Sequence, residues 1–361
     1  MNVALTGLAL SGKTRLFDAL CEGAVDSAVN PARPDRPNQA SIALPDERLD
    51  WLDKLYKAAK KTPIHIDLLD LPGLAPGRAD LAAHNTAVIG HLRRADALVY
   101  VLRAFENDRA PHPLGRIAPV ADRDALFSEF LISDLDVALR RIEKLEVQVT
   151  KPTPDREARR RELELLHRLR EALEAERPLR EAVRSEAEQV MVRGFTFLTE
   201  KPVLVVLNVD EAEAGNPEEA AARWPALGGP MVALTASLEA EIGCLPPEER
   251  PAFLREMGLS RLHTGDVLRD IHKVLGRITV YTCGEKEVVA RSVPRGSTAL
   301  DVAADIHTDI AKGFIRAEIF SYDDLRAAGS VKDVRAAGHV RIEGRDFVVR
   351  DGDILLIHFS R

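Results

Sequence analysis

Short apolar runs alternate with helical stretches through much of the chain. Runs of this kind, bounded by turn signals, indicate strands of a parallel sheet that is covered on both faces. The runs lie at residues 2–7, 64–73, 97–105, 203–208 and 231–237. The pattern predicts an α/β fold with a mostly parallel sheet, formed by residues 1–126 and 199–276.

Between the third and fourth runs the apolar residues follow a coiled-coil spacing. From Leu131 to Val149 they recur at alternating steps of four and three, which keeps one apolar seam on a helix. The chain then breaks at "KPTPD", and leucines from Leu163 to Leu173 mark a second helix. Two such helices joined by a Pro-rich turn predict an antiparallel coiled-coil hairpin over residues 127–198. The arginine-rich stretch 156–161 near its turn is either a solvated helix face or a contact surface for RNA or protein.

From about residue 277 the pattern changes to short strands. They are "ITVYT", "EVVARSV", "FIRAEIF" and "RDFVVRDGDILLIHF", the last with an Asp-Gly turn signal. One helix interrupts them, beginning near Ser297 and Thr298 with Asp301 in a capping position. This order predicts a β-grasp module over residues 277–361.

The first apolar run leads directly into "GLALSGKT", residues 7–14, and then into a helical stretch. The run fits the P-loop pattern, in which backbone N–H groups and a helix N-terminus surround phosphates. Lys13 is expected to reach the β- and γ-phosphates, Thr14 to bind Mg²⁺, and Gly12 to let the backbone approach. The predicted nucleotide contacts of this loop are Leu10, Ser11, Gly12, Lys13, Thr14 and Arg15, with Lys13 also catalytic.

A second phosphate element, "DLPG", follows the second run. Asp70 is expected to hold Mg²⁺ through water, and Gly73 is predicted to be catalytic, with its N–H sensing the γ-phosphate. Leu74 stands where Ras-like enzymes have the glutamine that orients the attacking water. Because leucine cannot orient water, this position argues for slow hydrolysis.

The fourth run ends in "NVDE", where P-loop GTPases place an Asn-x-x-Asp that reads guanine. Asn208 has an amide that can satisfy both N7 and N6 of adenine. Glu211 is one methylene longer than the guanine-reading Asp, so its carboxylate should miss guanine; alternatively it is an acidic surface residue with no base contact. Val209 is expected to line the base, and Ala236 and Ser237 to cover it with backbone N–H groups.

Charge and cysteine content limit the other possibilities. The formal net charge of −7 argues against a protein that coats nucleic acid, although it leaves room for a local basic patch. No apolar stretch approaches the roughly 18 residues of a membrane span, and the N-terminus lacks a signal-peptide pattern. Three scattered cysteines suggest neither disulfides nor zinc. The sequence therefore predicts a cytoplasmic monomer without membrane or DNA partners.

Together these motifs resemble the YchF group of Obg-like ATPases, which belongs to the P-loop GTPase class. The matching pieces run in order along nearly the whole chain and include "LPDERLDWL", "TEKPVLVVLNVDE", "SLEAEI" and "IHTDIAKGFIRAEIFSYDDL". The resemblance implies a preference for ATP with Mg²⁺ as cofactor, a TGS-like C-terminal domain, and the ribosome or a ribosomal subunit as partner.

This chain departs from the family pattern at several positions. In the P-loop, Leu10 replaces an Asn through which the family gains assistance by a monovalent cation, so that assistance is not expected here, and Arg15 replaces a Thr. Residues 30–38 lack the switch Thr, and residues 75–86 have lost most of the family's glycines. The sequence predicts a slow ATP- or GTP-hydrolysing switch associated with ribosomes. The competing hypothesis is a nucleotide-dependent binding protein with little or no turnover, and a small-molecule kinase fits less well.

Overall fold

The computed structural model describes residues 1–24, 33 and 36–360. The strands are β1 (Asn2–Thr6), β2 (Asn38–Ala43), β3 (Lys60–Thr62), β4 (His65–Asp70), β5 (Ala97–Ala104), β6 (Val203–Val209), β7 (Met231–Leu234), β8 (Arg277–Cys283), β9 (Glu287–Pro294), β10 (Phe314–Ser321), β11 (Arg341–Glu343) and β12 (Asp353–Phe359). The α-helices are α1 (Lys13–Cys21), α2 (Glu47–Tyr56), α3 (Ala82–Leu92), α4 (Pro119–Gln148), α5 (Arg156–Glu174), α6 (Leu179–Ala182), α7 (Glu186–Val192), α8 (Pro217–Ala222), α9 (Ala236–Gly243), α10 (Arg250–Glu256), α11 (Thr264–Val274), α12 (Ala299–Ile306), α13 (Thr308–Lys312), α14 (Tyr322–Ala328) and α15 (Val331–Ala336).

The five apolar runs, joined by β2, which was not predicted, build a six-stranded sheet in the order β2-β4-β1-β5-β6-β7. The pairs β1–β4, β1–β5, β5–β6 and β6–β7 are parallel. Every residue of β5 is buried, as expected for a central strand covered on both faces. Because the strands are parallel, the loops that follow β1, β4, β6 and β7 meet at one edge, and these loops carry the predicted site.

The coiled-coil prediction corresponds to α4 and α5, which form a helical hairpin. Leu131, Ala138, Ile142 and Leu145 are buried against leucines of α5. One bidentate ion pair joins the helices, with Arg141 Nε and Nη2 donating to Glu162 at 2.7 and 2.8 Å. The hairpin groups with the first sheet in a unit of Met1–Ile42 and Asp67–Val267.

The second unit comprises Ala43–Ile66 and Leu268–Arg361. Its sheet has the order β11-β10-β12-β8-β9-β3 and mixes parallel with antiparallel pairs. The predicted capping helix is α12: Thr298 and Asp301 form a reciprocal capping box at its start. Within 277–360, helices α13, α14 and α15 and strand β11 were not predicted, and the strand expected to begin at residue 345 begins only at Asp353.

Residues 43–66 add α2 and β3 to the second unit, with β3 paired parallel to β9. The sequence pattern gave no indication of this grouping. The α/β class is confirmed, whereas the division into 1–126 with 199–276, 127–198 and 277–361 stays a prediction.

Candidate nucleotide-binding site

The P-loop runs from β1 into α1, and its geometry depends on Gly12. This residue has φ 94°, and a Cβ built on it would lie 2.1 Å from Asn208 Nδ2. Any side chain would therefore strain the backbone and displace Asn208. The glycine at this point of the motif lets the loop pack against the strand that carries the predicted base contact.

Lys13 is buried within the P-loop, with 5% of its surface exposed. Its Nζ donates a hydrogen bond to the carbonyl oxygen of Leu8 at 2.7 Å. Burial lowers the pKa of Lys13 to about 8, although the charge of Asp70 partly opposes this effect. A cation held in a backbone-built loop is the arrangement that a triphosphate requires.

Asp70 and Thr14 meet beneath the same loop. Thr14 Oγ1 donates to Asp70 Oδ2 at 3.1 Å, and Asn38 Nδ2 donates to the same oxygen at 3.4 Å. The other oxygen, Asp70 Oδ1, is buried without a hydrogen-bond partner among the described residues. Burial raises the pKa of Asp70, while Lys13 is the largest opposing influence. An unsatisfied carboxylate oxygen beside a hydroxyl fits Mg²⁺, which prefers oxygen ligands.

Gly73 lies directly against the P-loop. A Cβ on Gly73 would lie 2.4 Å from Ala9 N, and Leu74 N donates to Gly7 O at 3.0 Å. This contact brings the second phosphate element beside the first. The ring of His84 contacts Gly73 O through Nε2 at 2.9 Å, a contact that the sequence did not predict.

Leu74 is 1% exposed and belongs to the apolar core of the first unit. Its side chain packs with that of Leu8 and cannot hold a water molecule. A glutamine here would bury an amide in the core, which costs free energy unless the amide finds partners. Substituting this residue alone is therefore a poor way to restore hydrolysis.

The side chain of Asn208 is buried and bonded at both ends. Its Nδ2 donates to Ser11 O at 3.1 Å, and its Oδ1 accepts from Ala236 N at 2.9 Å. One Nδ2 hydrogen remains for a base, and purine N7 is an acceptor in both adenine and guanine. These contacts favour a role in binding any purine over the adenine-specific pairing expected from the sequence. Because the N–H of Ala236 is already bonded to Asn208, only the N–H of Ser237 can face the base.

Glu211 is exposed at the end of the same strand, where its Oε1 accepts a hydrogen bond from Ser237 Oγ at 3.1 Å. Val209 is 1% exposed and packs in the core, so only its backbone can face a base. At the opposite side of the P-loop, Leu10 is 52% exposed with φ 60°. The roles of these residues in binding stay predictions.

A cavity of 620 Å³ lies beside the P-loop. Of the predicted residues, it is lined by Gly12, Arg15, Asn208, Val209, Glu211 and Ser237. Residues that were not predicted complete the lining and include Phe105, Asn107, Arg109 and Glu241. The cavity adjoins the phosphate-binding loop, which suits a base and ribose.

Arg103 organises the loop that closes this cavity. It is 2% exposed and donates from Nε to Phe105 O at 3.1 Å and from Nη1 to Ala110 O at 2.7 Å. Its Nη1 also contacts Leu10 O at 3.4 Å. The sequence did carry a signal for this role, an arginine inside the apolar run at 97–105, because a buried charge requires hydrogen-bond partners.

Three of the four arginines at the hairpin turn have carboxylate partners within their own helix or its cap, and Arg156 donates to Val149 O. Arg159 pairs with Asp155 at 3.5 Å, and Arg160 and Arg161 pair with neighbouring glutamates at 3.5 and 3.8 Å. These contacts favour the solvated-face interpretation for this cluster. The switch positions 30–32, 34 and 35 lie outside the described residues.

The described part of the chain has neither a membrane-spanning helix nor a cluster of metal ligands. No helix there is long and apolar enough to cross a membrane. No group of three or more His, Cys, Asp or Glu side chains there could hold a metal. A Mg²⁺ ion at Thr14 and Asp70 would take its remaining ligands from phosphate and water.

Known proteins similar to this chain match it along nearly its whole length. Residues 278–360 match the family model YchF-GTPase_C, described as a protein of unknown function (DUF933). The chain is 32% identical to the ribosome-binding ATPase YchF of Bacillus subtilis over 100% of this chain and 99% of that protein. It is 33% identical to the protein of the same name from Escherichia coli O157:H7 over 99% and 98% of the two chains. The Obg-like ATPase 1 of Caenorhabditis elegans is 29% identical over 100% and 92%.

A solved structure of the Schizosaccharomyces pombe YchF GTPase matches with a TM-score of 0.82 and 24% identity, over 99% and 97% of the two chains. This match confirms the fold. The P-loop, the buried aspartate beneath it and the C-terminal sheet define a nucleotide-binding protein of the P-loop GTPase class. The chain belongs to the YchF family of Obg-like ATPases, as its motifs predicted.

Proposed function

We propose that this protein binds ATP, and GTP more weakly, together with Mg²⁺, and acts as a slow nucleotide switch on the ribosome. The observation that carries the proposal is the contact of Thr14 with Asp70 at 3.1 Å beneath a P-loop lysine. Lys13 would neutralise the terminal phosphates, and Mg²⁺ would lie against Thr14 and Asp70. The bound ion would offset charge that develops on the γ-phosphate.

Slow hydrolysis follows from the residues beside the γ-phosphate position. The buried Leu74 cannot orient water, and Gly73 offers only a backbone group. The alternative function, a nucleotide-dependent binding protein with little or no turnover, is favoured by the same burial of Leu74. The two candidates differ in whether bound triphosphate is cleaved at all.

The ribosome enters the proposal through relatives such as those of Bacillus subtilis and Escherichia coli O157:H7, which are named ribosome-binding ATPases. The proposal also includes a cytoplasmic monomer without membrane or DNA partners. Sedimentation velocity of the protein, alone and with ribosomes, measures sedimentation coefficients that test both the monomeric state and the association with ribosomes.

Single-turnover hydrolysis separates the two candidate functions. Excess protein would be mixed with γ-labelled ATP and Mg²⁺, with and without ribosomes, and compared with a Thr14→Ala variant. The switch predicts slow phosphate release that ribosomes accelerate and that Thr14→Ala abolishes. Tight binding without any release under either condition would establish the alternative function.

A further inference from the structure

One peptide unit of the second phosphate element is held at both of its polar groups. The carbonyl oxygen of Gly73 contacts Nε2 of His84 at 2.9 Å, and the N–H of Leu74 donates to Gly7 O at 3.0 Å. Because a carbonyl oxygen only accepts hydrogen bonds, Nε2 of His84 carries the proton and donates. The two contacts fix the plane of the peptide that joins Gly73 to Leu74.

This peptide needs such a hold because residue 73 is a glycine. A Cβ on Gly73 would lie 2.4 Å from Ala9 N, so a larger residue would displace the P-loop. Glycine allows more backbone conformations than any other residue, so the close fit alone does not fix its peptide groups. The backbone conformation of Gly73 also sets the direction of its N–H, the group that is predicted to contact the γ-phosphate. His84 therefore acts on that contact through the backbone of Gly73.

The residue that follows Leu74 is fixed by a different side chain. Asn85 is 6% exposed, accepts a hydrogen bond from Ala75 N through Oδ1 at 3.1 Å, and donates from Nδ2 to Ala75 O at 3.0 Å. These bonds do not involve His84. Removing the imidazole therefore frees the peptide after Gly73 and leaves Ala75 in place.

We propose that His84 is a positioning residue for hydrolysis, which aims the N–H of Gly73 at the γ-phosphate through its bond to Gly73 O. This role depends on the proposed function, because it presupposes that bound triphosphate is cleaved. Leu74 is 1% exposed and offers no polar side chain, so the backbone of Gly73 is what this segment presents to the phosphate. Lys13 and the P-loop supply the main phosphate contacts, so His84 should affect the rate of cleavage more than the affinity for ATP.

Three substitutions of His84 separate its donor from its ring. His84→Gln carries an amide Nε2 at a similar reach and keeps a donor for Gly73 O. His84→Asn has the same amide on a side chain that is shorter by one methylene, and His84→Ala has no donor. The control, His91→Ala, makes the same substitution on the same helix, roughly 10 Å further along its axis.

Single-turnover release of labelled γ-phosphate and the dissociation constant for ATP are measured on the full-length protein with Mg²⁺. His84→Ala and His84→Asn are expected to release phosphate roughly 10- to 100-fold more slowly than the wild type, since a small misplacement of reacting groups costs this much. His84→Gln should recover most of the rate, and His91→Ala should keep it. The dissociation constants for ATP should change by less than about threefold.

Hydrogen exchange followed by mass spectrometry measures the hold on the peptide without any turnover. The fragment that spans residues 71–77 should exchange faster in His84→Ala than in the wild type, because the N–H of Leu74 is less protected when its peptide is free to move. His84→Gln should restore the slower exchange. Equal exchange in the wild type and His84→Ala would overturn the inference.

The kinetic outcomes distinguish this inference from the proposed function. Phosphate release at the wild-type rate in His84→Ala would overturn the role of His84 and leave the proposed function standing. The role would also be overturned if His84→Gln were as slow as His84→Ala, if His91→Ala lost as much, or if ATP affinity fell as far as the rate. A wild type that binds ATP and never releases phosphate would overturn both the slow switch and this role.

Discussion

The Nδ2 atom of Asn208 donates a hydrogen bond to the carbonyl oxygen of Ser11 at 3.1 Å, so the base-side strand supports the phosphate loop directly. Asn208→Ala removes this bond and the one to Ala236 N. Because a buried unsatisfied group costs about 1–3 kcal/mol, ATP and GTP affinity should both fall roughly 5- to 150-fold. Titration of both nucleotides checks this, and a changed ATP-to-GTP ratio would show that Asn208 selects the base.

Glu211 is the residue that we expect to decide between the bases. Glu211→Asp should place a carboxylate where guanine N1 and N2 require it, and a good bidentate base contact is worth about 1–3 kcal/mol. The GTP-to-ATP affinity ratio should rise roughly 5- to 150-fold, with ATP affinity little changed. Glu241→Asp makes the same chemical change elsewhere in the cavity lining and serves as the control. An unchanged ratio in Glu211→Asp would identify Glu211 as a surface residue.

The depressed pKa of Lys13 predicts a pH dependence of nucleotide binding. In the free protein its pKa is about 8, and a bound triphosphate favours the charged form, so the complex has a higher pKa. ATP affinity should therefore be constant below pH 8 and fall by up to about tenfold per pH unit above it. Calorimetry between pH 7 and 9.5 measures this. Lys13→Arg keeps its charge throughout and should lose the slope; a slope equal to that of the wild type would contradict the assignment.

Asp134 anchors the helical hairpin to the segment that precedes β6, the strand that carries Asn208. It is fully buried, accepts hydrogen bonds from the N–H groups of Leu198 and Thr199, and pairs with Arg93 at 3.1 Å. Asp134→Ala leaves the buried N–H groups of Leu198 and Thr199 unpaired and removes one partner of Arg93, which keeps its bonds to Ser133 and Thr196. Because each buried unsatisfied group costs about 1–3 kcal/mol, the free energy of unfolding should fall by about 2–5 kcal/mol. Urea unfolding tests this against Asp136→Ala, which removes an exposed partner of Arg140 and should cost under about 1 kcal/mol.

Local spacing was enough to predict the parts of the site that lie within one motif. Lys13 and Thr14 begin α1 as expected, because a glycine-rich turn between a strand and a helix permits few arrangements. The capping box of Thr298 and Asp301 is also a local feature and was found. Ser321 and Ser330 cap α14 and α15, and each hydroxyl accepts a hydrogen bond from the backbone N–H of the Asp three residues later. This Ser-x-x-Asp spacing was present in the sequence but was not used to predict the two helices.

Long-range pairing accounts for what the sequence did not show. Asn38 reaches Asp70 across 32 positions of the chain, and β3 joins β9 from more than two hundred residues away. Neither contact has a periodic signature. The second bond of Asn208, to Ala236 N, likewise depends on how β6 and β7 lie in the sheet. The role of Arg103 in holding the loop beside the cavity was indicated in the sequence only by a charged residue inside an apolar run.

Calorimetric titration of ATP and GTP in Mg²⁺ buffer, on the wild type and Lys13→Ala, tests the central claim most directly. The account predicts that the wild type binds both nucleotides with ATP the tighter, because a P-loop with a buried cation meets the phosphates and Glu211 fails to read guanine. Lys13→Ala should show no measurable binding while keeping the circular dichroism spectrum of the wild type. Micromolar ATP affinity retained in Lys13→Ala, or a tenfold preference of the wild type for GTP, would contradict it.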